Sequence, residues 1–226
     1  MGPLKDIKIF DLTRVLAGPH CTQILGDLGA DIIKVERVEN GDDTRKFAPP
    51  FMKDENGKDT DQSAYFSGTN RNKRSITLNL NSPEGQYIAK QLIAKSDILV
   101  ENFKVGTLEK YGLDYDTLKN EFPSLIYCSI TGFGQTGPYS KRPAYDALVQ
   151  AMGGVMSLTG DAKGEPMKVG VSIADLMAGM YGTVSILAAL RHRDKTNEGQ
   201  HLDISMLDAH VAWLANQGMN YLATNE

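Results

Sequence analysis

The strongest constraint on this chain is an alternation of short apolar runs with helix-like stretches, repeated from its first residues to its last. Residues 7–11 (IKIFD) form an apolar run ending in an acid. Gly18-Pro19 then opens a helix-like stretch over 20–28, closed by Gly29, and residues 31–36 (DIIKVE) form the next run. Strand, helix and strand joined by such short connections predict parallel strands linked by a right-handed crossover. The rhythm continues. Residues 75–80 (SITLNL) alternate as a strand does, and Asn81-Ser82-Pro83 starts a helix running to about Ala94. Residues 97–101 (DILVE), 125–130 (LIYCSI) and 200–206 (QHLDISM) are further strands, and 208–222 is a closing helix. The polar stretch 41–67, with Pro49-Pro50, reads as a long loop. The expected fold class is α/β: an open parallel Rossmann-like sheet with helices on both faces, forming one domain over residues 1–226.

Charge and cysteine content narrow the function. The net charge is −4, from 24 basic and 28 acidic side chains among 226 residues. No excess of Lys and Arg is available to displace counterions from a nucleic acid, so nucleic acid is not an expected partner. Cys21 and Cys128 share no ligand spacing with each other or with a histidine, and read as free thiols in a reducing compartment. The expected localisation is cytoplasmic, or the mitochondrial matrix in a eukaryote. Residues 172–190 carry one charge, Asp175, and approach the length of a membrane span. Gly179 and Gly182 within them favour a helix buried in a core or at a subunit interface over membrane insertion. His20, His192, His201 and His210 show no metal-ligand spacing, so no metal is expected.

In an open parallel sheet, ligands bind beyond the carboxyl ends of the strands. The residues expected there are basic or carry amides: Thr13, Arg14 and Gly18, then Glu36 and Arg37, then residues 70–74 and Asn79, then Asn102, Phe103 and Lys104, and finally Arg142 and Tyr145 after the glycine-rich loop 132–138. Arg forks, Lys charges and backbone N–H groups at one rim suit a ligand with several phosphates. No GxGxxG follows the first strand and no GxxxxGK[ST] occurs, which argues against a dinucleotide dehydrogenase and a P-loop enzyme. Asp175 opens the long apolar helix. There its carboxylate can be kept ionised by the helix dipole, or can close a Ser172-x-x-Asp175 capping box.

Several motifs taken together resemble the class III CoA-transferases, the CaiB/BaiF type. They are DLTRVLAGP (11–19), GDLGADIIKVER (26–37), NRNKRS (70–75), DILVENF (97–103), SITGFGQTGP (129–138) and VSIAD (171–175). The resemblance runs in order along essentially the whole chain. It implies that coenzyme A, as a thioester substrate, contacts Leu16, Ala17, Arg37, Leu78, Asn79, Asn102, Phe103, Lys104, Lys110, Ala144, Tyr145 and Asp146. It also implies that Asp175 is the nucleophile, forming an aspartyl anhydride and then an aspartyl-CoA thioester while CoA passes to a carboxylic acid. The family builds interlocked homodimers and continues into a smaller second domain beyond the stretch matched here. Related 2-methylacyl-CoA racemases use a histidine where this chain has Tyr145, and an inactive CoA-binding fragment is the remaining alternative.

Overall fold

The computed structural model describes residues 2–225. Along the chain run β1 (Lys8–Asp11), α1 (Ala17–Asp27), β2 (Asp31–Glu36), β3 (Phe51–Lys53), β4 (Asp59–Ser63), α2 (Ala64–Thr69), β5 (Lys73–Thr77) and α3 (Pro83–Ile93). Then come β6 (Ile98–Glu101), α4 (Tyr115–Glu121), β7 (Ile126–Thr131), α5 (Asp146–Met152), α6 (Ile173–Thr196), β8 (His201–Ser205), α7 (Met206–Ala212) and α8 (Ala215–Thr224).

Six strands form one sheet in the order β5-β2-β1-β6-β7-β8, and every neighbouring pair is parallel. The order reverses direction between β1 and β6. Chain segments leaving those two strands diverge to opposite sides and open a crevice at their carboxyl ends. Both faces of the sheet are covered, which is why its central strands are apolar throughout. Ile9, Ile98, Val100, Ile126 and Cys128 pack against Cys21 and Leu25 of α1 and Ala174, Ala178 and Ile186 of α6. Their strand neighbours Phe10, Leu99 and Tyr127 point the other way, onto Ala89 and Ile93 of α3 and Leu118 of α4.

The long apolar helix is a core element of this fold, in length and composition sufficient to cross a membrane but packed over α1 and β7. Its glycines make the approach possible. A Cβ on Gly179 would lie 2.7 Å from the Ala17 carbonyl oxygen, and one on Gly182 would lie 3.2 Å from Ile130 Cδ1.

Several boundaries differ from the sequence expectation. α1 begins at Ala17, three residues before His20, with Pro19 inside its first turn where a missing N–H costs nothing. β5 spans Lys73–Thr77 rather than 75–80, because residues 79–82 turn into α3: Ser82 N–H donates to Asn79 O at 3.1 Å, and Ser82 Oγ caps Gly85 N at 3.1 Å. The supposed loop 41–67 holds a 3-10 turn (Asp43–Lys46), the β3–β4 hairpin and the start of α2. The closing helix is two, α7 and α8, parted at Trp213-Leu214, with Ala215 at φ +47°.

Candidate active site

The crevice is built from the loop between β1 and α1. Asp11, fully buried, accepts from Thr13 N at 2.8 Å, from Thr13 Oγ1 at 2.5 Å and from Thr22 Oγ1 at 2.7 Å. Lys73 Nζ stands 3.2 Å from it. Burial alone would raise the Asp11 carboxyl; Lys73 and Lys34 hold it below its ordinary value. The same burial pushes Lys73 down to about 8. Next along the loop, Asn102 accepts from Arg14 N at 2.9 Å and donates to Arg14 O at 2.7 Å. The Asn102 side chain, expected to meet CoA, therefore spends its amide on fixing backbone.

Asp175 lies on the first turn of α6. The capping-box expectation fails: Ser172 makes no side-chain cap. That helix start is tied instead by Asp146, whose Oδ1 accepts from Ala174 N at 2.9 Å while its Oδ2 takes Gln150 Nε2 at 2.7 Å. Asp146, expected as a CoA contact, caps the start of α6 from α5. Asp175 lines one cavity with Ala17, the first residue of α1, whose backbone N–H favours the charged carboxylate. The expectation that a helix dipole keeps it fully ionised also fails. Burial first, and the neighbouring Asp146 second, push Asp175 up to about 7, with the Ala17 N–H opposing them. One donor does not offset the loss of water and a second carboxylate.

The cavity at Asp175 has a volume of about 230 Å³. It brings together Leu16, Ala17, Asn102, Phe103, Lys104, Ala144 and Tyr145 of the expected set, and adds Thr131, Gly132, Arg142 and Met206. A groove of about 670 Å³, lined by Arg14, Arg37, Leu78, Asn79, Phe103 and Tyr111, shares Phe103 with it. Arg37 is fixed at the rim by Gly41 O at 3.1 Å and by a close ion pair with Asp43. Lys110 lines neither space; its ammonium lies 4.6 Å from the ring centre of Tyr111, at the groove's edge. Arg71, Asn72 and Arg74 do not reach the rim. They pair with Asp27 and Asp31 at the opposite end of the sheet.

Two residues of the site had no signal in the spacing. Met206 directly follows β8 and enters the cavity from a strand end treated only as a boundary. Tyr65 lies in the stretch read as a loop, close enough that, after burial, Asp175 and Asp146 raise its hydroxyl. The glycine loop 132–137 has the GxGxxG spacing but is followed by turns rather than a helix. Gly132 is required because a Cβ there would sit 2.2 Å from Ala144 Cβ. On the other face, Glu101 is buried and pushed up to about 7, accepting from Phe103 N at 2.8 Å. Beside it, Ser129 Oγ meets His201 Nε2 at 3.0 Å. Among the described residues, no group of three His, Cys, Asp or Glu side chains is placed to hold a metal ion.

The sheet order and a crevice at its switch point define a doubly wound α/β ligand-binding domain, with a buried carboxylate at the end of the crevice. The chain belongs to CoA-transferase family III, whose model matches residues 4–226. It is 52% identical over 220 residues to a succinate–glutarate CoA-transferase of Agrobacterium fabrum, covering 97% of this chain and 55% of that protein. It is 47% identical to the human succinyl-CoA:glutarate CoA-transferase, covering 97% of this chain and 49% of that one. The crystal structure of a CAIB/BAIF family protein from Brucella suis superposes with a TM-score of 0.94 at 51% identity, covering all of this chain and 58% of that one. The chain thus spans about half the length of the relatives it matches.

Proposed function

We propose that this chain carries the CoA-binding and nucleophilic part of a CoA-transferase, and that Asp175 is the group acylated. The observation that carries the reading is the placement of Asp175. It is a mostly buried carboxylate beside the Ala17 backbone N–H, in a cavity that shares Phe103 with a longer groove bordered by Arg14 and Arg37.

The chemistry follows from those parts. An ionised Asp175 oxygen attacks the thioester carbonyl carbon; the C–S bond breaks and CoA leaves as thiolate. The thiolate attacks the Asp175 carbonyl of the mixed anhydride, releasing the donor acid as its carboxylate and forming an aspartyl-CoA thioester. An acceptor carboxylate attacks that thioester and expels the thiolate again. The thiolate then attacks the acceptor's acyl carbon, and Asp175 leaves as a free carboxylate. Nothing is consumed, and one exchange between two carboxylates is divided into steps with good leaving groups. Little open water should reach the anhydride, and the small cavity around Asp175 suits that need.

Leu16 and Ala17 support the pantetheine end, Phe103 forms the bend, and Arg37 with Lys110 serves the phosphates at the rim. The names of the relatives favour succinyl-CoA as donor and a dicarboxylate such as glutarate as acceptor. The homodimer belongs to the same proposal: Met180, Tyr181, Val184 and Leu187 of α6 are exposed here, an apolar stripe suited to burial in a larger assembly. The test uses the full-length protein with succinyl-CoA and a panel of dicarboxylic acids. Wild type exchanges CoA, and Asp175→Ala loses exchange by about 10³-fold or more while retaining its fold. An Asp175→Ala protein that exchanges CoA at the wild-type rate would refute the reading.

A further inference from the structure

Three consecutive residues between β1 and α1 have their backbone held by side chains from outside the loop. Lys34 Nζ donates to Thr13 O at 2.8 Å, Asn102 grips both backbone groups of Arg14, and Asp42 Oδ1 accepts from Val15 N at 3.3 Å. Val15 stands at φ +69°, in the left-handed region where a β-branched residue is strained. Two residues later comes Ala17, which lines one cavity with Asp175 and whose N–H favours that carboxylate. If Val15 relaxed to a negative φ, the peptides that follow would rotate and that N–H would turn away.

Asp42 is equipped to prevent this. It is fully buried, and its anchors are themselves anchored. Oδ2 receives Lys34 Nζ at 2.8 Å, Oδ1 also accepts from Thr44 N at 3.0 Å and Thr44 Oγ1 at 2.8 Å, and its own N–H donates to Glu36 Oε2 at 2.8 Å. Glu36 is in turn gripped by Arg45 through two bonds of 2.7 Å. None of these side chains reaches the Asp175 cavity, so any influence on the chemistry passes through the loop.

We propose that Asp42 is a positioning residue for the transfer reaction: by holding Val15 in the left-handed conformation, it aims the Ala17 N–H at the Asp175 carboxylate and fixes the direction of the nucleophile. The inference rests on the proposed role of Asp175 and deepens it. A residue that only stabilised the fold would act regardless of what stands at position 15. One that acts through Val15 becomes dispensable once glycine, free of strain at φ +69°, replaces valine.

The experiment compares Asp42→Asn, Val15→Gly and the double variant in the full-length protein with succinyl-CoA and glutarate. Asparagine presents an amide NH₂ to the Lys34 ammonium, so the contacts to Lys34 and to Val15 cannot both survive. Asp42→Asn should lower kcat by roughly tenfold or more, with KM for succinyl-CoA within about twofold. Its rising pH–rate limb should move to higher pH, because Asp175 loses its donor. Amide exchange at Leu16 and Ala17 should quicken by about tenfold or more. In the double variant, kcat should return to within about threefold of Val15→Gly alone. Failure of Asp42→Asn to fold where the double variant folds would support the same coupling.

A double variant as slow as Asp42→Asn, wild-type kcat in Asp42→Asn, or failure of both to fold would overturn the proposal. Amide exchange separates the two levels. A wild-type protein without CoA exchange refutes the proposed function, whereas unchanged exchange at Leu16 and Ala17 in Asp42→Asn refutes the positioning role.

Discussion

Asp175 stands under opposing demands. As the proposed nucleophile it needs a cavity dry enough to protect an acyl intermediate, and the same burial, with Asp146 beside it, pushes the carboxyl up to about 7. Two results follow. Turnover at low acyl-CoA concentration should rise with pH and level off above about 7, since only the carboxylate attacks; a kcat/KM profile measures this. Stability should move the opposite way. The folded-state pKa is raised, so the native protein keeps a proton that the unfolded chain loses from about pH 4, and stability falls between about 4 and about 7. Asp175→Asn removes that dependence. Its advantage over wild type should widen across this interval to about 1–3 kcal/mol at pH 8, after allowing for partial solvent screening, as read by denaturant unfolding. Glu101, also raised to about 7 by burial, should leave part of the slope in place until Glu101→Gln is added. A Tm gap that does not change with pH would show Asp175 to be an ordinary carboxyl. At this scale the sequence singled out Asp175 and gave it the wrong electrostatic surroundings. Local spacing saw the helix it begins, whereas its pKa is set by α5 and by burial, which only the tertiary structure brings to it.

At the scale of elements, the crossing of α6 over α1 couples stability to the site. Gly179 lies where α6 touches the Ala17 carbonyl, one peptide from the donor to Asp175. Gly179→Ala should therefore cost about 1–3 kcal/mol by overpacking against backbone, and should also lower kcat. Gly182→Ala meets the ends of the Ile130 and Cys21 side chains at 3.2 and 3.3 Å, which can yield. It should cost less and spare kcat; equal effects of the two on kcat would contradict the coupling. The elements legible in sequence were those with a clear apolar run or period and a clear stop: the strands β1, β2, β6, β7 and β8, and the helices α1, α3 behind Ser82-Pro83, and α6. Those missed were short or marked by neither period. The hairpin of Phe51–Lys53 and Asp59–Ser63 exposes most of its residues and shows little apolar alternation. α4 and α5 are seven residues each, too short for a period to emerge.

For the whole molecule, the order of the strands decides where chemistry can occur. Because the order turns back between β1 and β6, the loops after those strands, 12–16 and 102–108, flank one crevice, and Phe103 lines both of the cavities there. Counting strand ends locates this rim but misplaces Arg71, Asn72 and Arg74, which precede or open β5 and so stand at its amino end. There Arg71 and Arg74 serve ion pairs, whereas Lys73 reaches back to Asp11 at the crevice loop. The buried network of Asp11, Lys34, Asp42 and Lys73 was not legible, since its members are spread over residues 11–73 and carry no motif. The crevice and the start of α6 converge on a single acid, Asp175. The measurement that tests this most directly is mass spectrometry of the full-length protein after incubation with succinyl-CoA and hydroxylamine. The account predicts a hydroxamate on Asp175 and on no other acid, dependent on the thioester. A modification found at Glu101 or Asp146 instead, or none under conditions where CoA exchange proceeds, would contradict it.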